Sequence, residues 1–365
     1  MTAGTLASLS NSIFASLGLT DCNDELLIGP SPFQRECLVL IDGMGAESLA
    51  EFGHQHKIFA QAKSIKTLNS IFPTTTTVNL TSLATGVLPG VHGMLGYTVR
   101  VPRSGEPGRL LNALKWDERV DPLNWQKVPT LFERANSQGI KVSQVSAKRY
   151  EGTGFTRAAL RGAEYLGANQ ISDIANSAAQ ALSAERSFAY VYINHLDVAG
   201  HESGVGSEKW HSALSVVAEL LTQLNEKLPS GTRIWVTSDH GMINCGEQII
   251  FGVENELDKE ITLYGGEPRA RHLYLRPGSL ADVKSRYEEF FENRAVVLSK
   301  EEAVSQNLFG SFMSEDSKDR IGDLIVIAKG DLVLIDPKRA KEEGGMVGHH
   351  GGESDIEKLI PLLSY

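Results

Sequence analysis

CLVLIDG, residues 37–43, is the stretch on which the fold turns. Its first five residues are apolar without alternation, so neither side of an extended segment would face water, and Asp42-Gly43 then supplies turn chemistry. This is the pattern of a parallel strand buried between helices and ending in a loop. It recurs twice: FAYVYIN, residues 188–194, runs on to Asp197, and RIWVTS, residues 233–238, runs on to Asp239. Leu6, Leu9, Ile13 and Leu17 recur at helical spacing ahead of the first strand. Further helices are predicted over 129–138, stopped by Gly139, over 171–184, and over 207–227, where Leu214, Val217, Leu221 and Leu224 share a face. Strands alternating with helices predict the α/β class, with a mostly parallel central sheet and helices on both faces.

After Met242 the texture changes to shorter strands, a charged helix near 280–293, the polar stretch 314–320 and the apolar run DLIVIA, residues 323–328. A smaller α+β insertion is therefore expected at 246–320, inside a catalytic unit made of 1–245 and 321–365. The length of 365 residues fits such a plan. The chain carries 35 basic and 45 acidic side chains, a formal charge of −10 that repels a nucleic-acid backbone, and no basic stripe offsets it. No stable nucleic-acid complex is expected. Cys22, Cys37 and Cys245 form no C-x-x-C pair, which excludes a disulfide framework and a thiolate zinc knuckle. The first basic residue is Arg35, and no apolar run approaches the ~18 residues of a membrane span, so a cytoplasmic protein without membrane association is expected.

Beyond the carboxyl ends of parallel strands is where an open α/β sheet builds its site, so Asp42, Asp197 and Asp239 are expected to converge. Two of them bring histidines, His201 in D-V-A-G-H and His240 in S-D-H-G. Mixed Asp and His donors suit zinc, or less selectively manganese or iron. Taken singly, each Asp reads as a turn former, a helix cap or a solvated side chain; their joint placement after three strands favours a shared site. In IFPTTTTVNLTSLATG, residues 71–86, a hydroxyl at the first helical turn would face N–H groups that favour phosphate, the plainer alternative being an N-cap. GHHGGE, residues 348–353, offers His349 and His350 as a further ligand or simply a surface loop.

In this order, from about Leu38 to Leu363, the motifs resemble the alkaline phosphatase superfamily, specifically its type I phosphodiesterase and nucleotide pyrophosphatase branch. The resemblance implies an alkaline phosphatase-like fold and two divalent cations, zinc by donor type. Asp42, Thr76, Asp239 and His240 would hold one, and Asp197, His201 and His350 the other. His350 is preferred to His349 because it directly precedes Gly351-Gly352. Thr76 would be the nucleophile, with Thr75 and Thr77 as alternatives, and Asn79 would hold a non-bridging phosphate oxygen. Val78 departs from the family, which commonly has proline there. The implied function is hydrolysis of phosphodiester or pyrophosphate bonds in small, nucleotide-type substrates through a phosphothreonine intermediate. The alternatives are a phosphomonoesterase, phosphomutase or phosphonate hydrolase of the same superfamily, and, in another class, an inactive ligand-binding relative. Competent donors at every inferred ligand position argue against the last. No C/S-x-P-x-R segment follows Pro73, so a sulfatase is not expected. Tyr97, Trp116, Trp125, Phe155 and Tyr192 are candidates to stack on a base or to fill the core. Arg269, Arg271 and His272 would reach a distal phosphate or sit on an exposed charged strand.

Overall fold

A computed structural model describes residues 4–105 and 108–365. The central sheet has seven strands in the order Ser64–Asn69, Leu359–Ser364, Arg233–Thr237, Arg35–Ile41, Ser187–Ile193, Lys141–Ser146, Glu164–Gly167. The three runs that end in aspartates are neighbours: Arg35–Ile41 lies between the other two and pairs in parallel with both. Lys141–Ser146 and Glu164–Gly167 continue the parallel ladder, and Leu359–Ser364 alone runs antiparallel to its neighbours. The expected mostly parallel α/β sheet is thus the one found.

Uninterrupted apolar runs are explained by burial on both faces. Leu38 and Leu40 enter one core, with the helices Leu6–Ser16, Thr76–Thr85 and Leu131–Ser137 over it. Cys37, Val39 and Ile41 enter the other, under Ile171–Ala181 and Glu208–Lys227. Each fully buried aliphatic side chain contributes roughly 1.5–3 kcal/mol, so an unpaired polar residue over 37–41 would be costly on either side. The helix predicted to begin at 129 begins at Leu131, because Thr130 is its N-cap, in a capping box with Glu133. The helix predicted to reach 184 ends at Ala181, where the Ser183 hydroxyl donates back to the Gln180 carbonyl instead of the chain continuing the helical ladder. Among the described residues no helix is long and apolar enough to cross a membrane.

A second sheet, wholly antiparallel, has the order Ile261–Glu267, Ala270–Leu275, Leu324–Ala328, Ala295–Ser299, with Leu280–Phe291 packed on one face. The boundary expected at 320 requires correction. Leu324–Ala328, assigned to the catalytic unit, is an interior strand of this smaller sheet, and Val333–Ile335 pairs with Gln248–Ile250. Its side chains divide between two cores, Ile325 and Ile327 into one and Leu324, Val326 and Ala328 into another, so its apolar run reads like a strand of the main sheet.

The expectation of an exposed strand for Arg269 and Arg271 is also overturned, since both are 0% exposed. Arg269 forks onto Glu357 at 3.0 and 2.8 Å, and Arg271 donates to Glu343 and, at 2.8 Å, to the Leu334 carbonyl. These desolvated pairs tie the smaller sheet to the carboxyl-terminal segments and hold both guanidinium groups in the interior. His272 is buried as well and accepts from the Gly322 N–H at 3.1 Å.

Candidate metal centre

The sheet order fixes where the carboxylates meet. Asp42 directly follows Arg35–Ile41, and Asp239 comes just after Arg233–Thr237. Asp197 lies in the first turn of the helix His195–Ser203, which follows Ser187–Ile193, and His201 sits one turn on with its Nε2 3.2 Å from Asp197 Oδ1. Gly43 lets the first two loops close: its φ is +76°, and a Cβ there would lie 3.0 Å from the Asp197 Cα.

Two clusters of donors result, Asp42 with Asp239 and His240, and Asp197 with His201 and His350, the donor atoms of each lying within 4.8 Å of one another. They adjoin through the His240 and His350 rings, stacked with centroids 3.6 Å apart. His240 Nε2 lies 3.3 Å from Asp42 Oδ1 and 3.4 Å from Asp239 Oδ2. Each histidine places Nδ1 against a backbone carbonyl: His201 against Gly348 at 2.8 Å, His240 against Gly241 at 3.0 Å, His350 against Thr74 at 2.9 Å. A proton on Nδ1 donating to that carbonyl leaves the Nε2 lone pair facing the centre, the arrangement typical of histidine ligands.

Carboxylate chemistry points the same way. Asp42 Oδ1, Asp197 Oδ1 and Asp239 Oδ2 are buried without a hydrogen-bond partner. Unsatisfied buried anions are costly unless a cation offsets them. Burial, then Asp239 and Asp197, pushes the Asp42 carboxyl well above the usual range. Burial acts on Asp197 in the same direction, but His201, His350 and His240 hold it below that range. Asp197 in turn overcomes the burial of His201 and raises it to about 9. The donor set and its orphaned oxygens fit divalent cations.

Thr76 opens the helix Thr76–Thr85, and its Oγ1 is 3.3 Å from His240 Nε2. Its neighbours are otherwise engaged or differently placed: Thr74 donates to the Gly352 carbonyl at 2.8 Å, Thr77 donates to the Gly96 carbonyl at 3.2 Å, and Thr75 is the helix N-cap residue. The Thr75 side chain makes no cap bond, so it does not occupy the N–H groups of the first turn.

Asn79 does not do what was expected of it. It is 0% exposed, and its amide is spent on the backbone of the preceding loop, accepting from Ile71 N–H at 2.8 Å and donating to Ile71 O at 3.0 Å and Thr75 O at 3.2 Å. It shapes the loop that presents Thr76 and does not face a phosphate. Of the five aromatic candidates, only Tyr97 lines the cavity beside the donor clusters. Trp125 and Phe155 are core, and Trp116 packs against that core while donating to the Val120 carbonyl at 2.8 Å.

Tyr192 is the contributor that strand periodicity concealed. Its hydroxyl donates to Asp42 Oδ2, which leaves Oδ1 to face the centre. Tyr192→Phe is expected to lower metal affinity by about 10–100-fold, as loss of such a supporting bond commonly does, with little loss of folding. Titration of the metal-free variant by calorimetry measures it, and unchanged affinity would remove Tyr192 from the site.

The family described as type I phosphodiesterase / nucleotide pyrophosphatase matches residues 37–353. Human ectonucleotide pyrophosphatase/phosphodiesterase family member 5 is 22% identical over 90% of this chain and 68% of its own length. Human bis(5'-adenosyl)-triphosphatase ENPP4 is 21% identical over 90% of this chain and 71% of its own. Among solved structures, murine ectonucleotide pyrophosphatase/phosphodiesterase 5, in an inactive threonine-to-alanine form complexed with AMP, aligns with a TM-score of 0.71, 18% identity, and coverage of 90% and 87% of the two chains. Phosphonoacetate hydrolase from Sinorhizobium meliloti, complexed with phosphonoacetate, aligns at 0.69 with 18% identity over 92% and 90%.

Proposed function

The chain belongs to the type I phosphodiesterase/nucleotide pyrophosphatase family of hydrolases, and on that premise we propose that it cleaves phosphodiester or pyrophosphate bonds of small, nucleotide-type substrates through a phosphothreonine at Thr76. The observation that carries this reading is the Thr76 hydroxyl at a helix N-terminus, next to two adjoining Asp/His clusters with three orphaned carboxylate oxygens. The inactive murine structure is itself a threonine-to-alanine form, which supports a threonine as the nucleophile.

Two divalent cations, zinc by donor type, would supply Lewis-acid stabilisation of charge on the phosphoryl and leaving oxygens and ease ionisation of a hydroxyl or water. Asp42, Asp239 and His240 would hold one and Asp197, His201 and His350 the other, each histidine kept in orientation by its carbonyl. Thr76 Oγ attacks phosphorus, the bond to the leaving oxygen breaks as that oxygen takes up the threonine proton, and the remaining phosphoryl group, still bearing its other substituent, is carried on Thr76. Water then attacks that phosphorus, the Oγ–P bond breaks, and the threonine hydroxyl is restored. First-turn N–H groups of Thr76–Thr85 are the chain's own donors for a non-bridging oxygen, the role that Asn79 does not take.

Cavity charge favours a diester. Among the described residues lining it, Arg339 is the one Lys or Arg side chain, and it is paired with Glu343 at 3.1 Å and Glu342 at 3.4 Å. No arginine or lysine is therefore free there for the second negative charge of a monoester. kcat/KM is expected to be at least about tenfold higher for bis-p-nitrophenyl phosphate than for p-nitrophenyl phosphate. A preference for the monoester would overturn the diester reading.

A further inference from the structure

The cavity is lined by Thr76, Asp197, His201 and His350 of the cation centre and, beside them, by Glu267, Met346 and His349. The volume is about 230 Å³, below the range of drug-sized pockets, so it suits a compact organic group beside the phosphate. The lining contains polar atoms the protein itself leaves unused. Glu267 is 4% exposed; its Oε2 accepts from the Tyr97 N–H at 2.8 Å, while Oε1 has no partner. His349 is 1% exposed and its Nε2 has no partner either. A neutral ring with its proton on Nδ1 presents Nε2 as an acceptor. Neither atom is a member of the two donor clusters. Unpartnered polar atoms lining a cavity cost stability unless a ligand or water satisfies them, and they discriminate strongly between ligands that carry a hydrogen-bonding group and those that do not. Burial raises the Glu267 carboxyl to about 8, and an ammonium beside it would favour the ionised, accepting form.

We propose that Glu267 and His349 form a subsite that selects substrates whose organic group carries a hydrogen-bond donor, a hydroxyl or an amine, on a short chain from phosphorus. An ammonium can donate to both Glu267 Oε1 and His349 Nε2 and a hydroxyl to one of them, with the methylenes between the donor and phosphorus along Met346. Glu267 is in this account a specificity-determining residue rather than a catalytic one. The inference deepens the hydrolase reading and rests on it for turnover, but not for binding.

The test uses the metal-loaded protein and p-nitrophenyl phosphodiesters whose second group is propyl, 3-hydroxypropyl or 3-aminopropyl, read by nitrophenolate release. The wild type is expected to favour one or both donor-bearing esters over the propyl ester by at least tenfold in kcat/KM. The hydroxypropyl arm leading identifies a neutral alcohol, and the aminopropyl arm leading identifies an ammonium. In E267Q the amide oxygen keeps the Tyr97 bond and the amide nitrogen turns a donor towards the cavity, so the preference should collapse to about onefold. E267D, which withdraws the carboxylate by one methylene, should weaken it and serves if E267Q does not fold. Separately, 3-aminopropyl or 3-hydroxypropyl phosphate should raise the melting temperature more than propyl phosphate does, a difference lost in E267Q. Turnover without donor preference, or a preference unchanged in both variants, overturns the subsite while leaving the hydrolase reading intact. Donor-dependent protection without turnover of any diester leaves the subsite standing and overturns the diester reading.

Discussion

Thr76→Ala is expected to lower kcat for bis-p-nitrophenyl phosphate by about 10⁴-fold or more while leaving the melting temperature nearly unchanged. The magnitude follows from removing the atom that bonds phosphorus: only cation and binding contributions survive, as when a hydrolase loses its nucleophile. The small stability effect follows from geometry. Thr76 is a half-buried first-turn residue whose hydroxyl bonds His240 Nε2 at 3.3 Å and nothing in the core. Thr76→Ser keeps the oxygen and should retain activity to within about 100-fold. Thr77→Val should behave in the opposite way, losing stability through the Gly96 carbonyl it leaves unpaired while turnover persists. Acid quenching during turnover, followed by mass spectrometry, should find the added p-nitrophenyl phosphoryl mass at residue 76. Activity of Thr76→Ala within tenfold of wild type, or label on another threonine, would reassign the nucleophile.

Residue type and placement along the chain carried most of the reading of this site; direction did not. Asp42, Asp197 and Asp239 could be grouped because each follows a strand buried on both faces, and the three strands prove to be adjacent in the sheet. Asn79 shows the limit. Its position three residues beyond Thr76 says only that both share a helical neighbourhood, whereas the carbonyls of Ile71 and Thr75, contributed by a folded-back loop, decide that its amide points inwards. Arg269 and Arg271 look like surface charges on a strand until Glu357 and Glu343, each more than seventy residues away, arrive to neutralise them. Glu267, His349 and Arg339 converge on the cavity from segments that share no spacing. Leu324–Ala328 was misplaced for a related reason: a strand buried on both sides has the same composition in either sheet.

Chelation should abolish turnover and also lower the melting temperature, by about 5 °C or more, because cations at 100–1,000 times their Kd stabilise the folded chain by about 3–4 kcal/mol per site. The sharper expectation concerns the sign of Asp42→Asn. In the metal-loaded protein this change removes a ligand and should cost most of the activity and most of the cation-dependent rise in melting temperature. In EDTA it should do the reverse and raise the melting temperature by about 1–3 °C, since Asp42 and Asp239 are buried carboxylates with Asp197 beside them and the substituted amide contributes no charge there. The Tyr192 hydroxyl still finds an oxygen on the asparagine side chain, so no other bond need be lost. Acid should shrink this difference. Burial, Asp239 and Asp197 raise the folded-state pKa of Asp42, so the folded chain takes up that proton before the unfolded chain does. Wild-type metal-free stability therefore gains from this group as pH falls from neutrality towards the ordinary carboxylate range, and the amide has nothing to gain. Thermal melts of both proteins in EDTA at pH 7.5 and pH 5 measure the effect. If Asp42→Asn melts below wild type in EDTA at pH 7.5, the carboxylates are not crowded together as a cation site requires, and the two-metal reading falls with them.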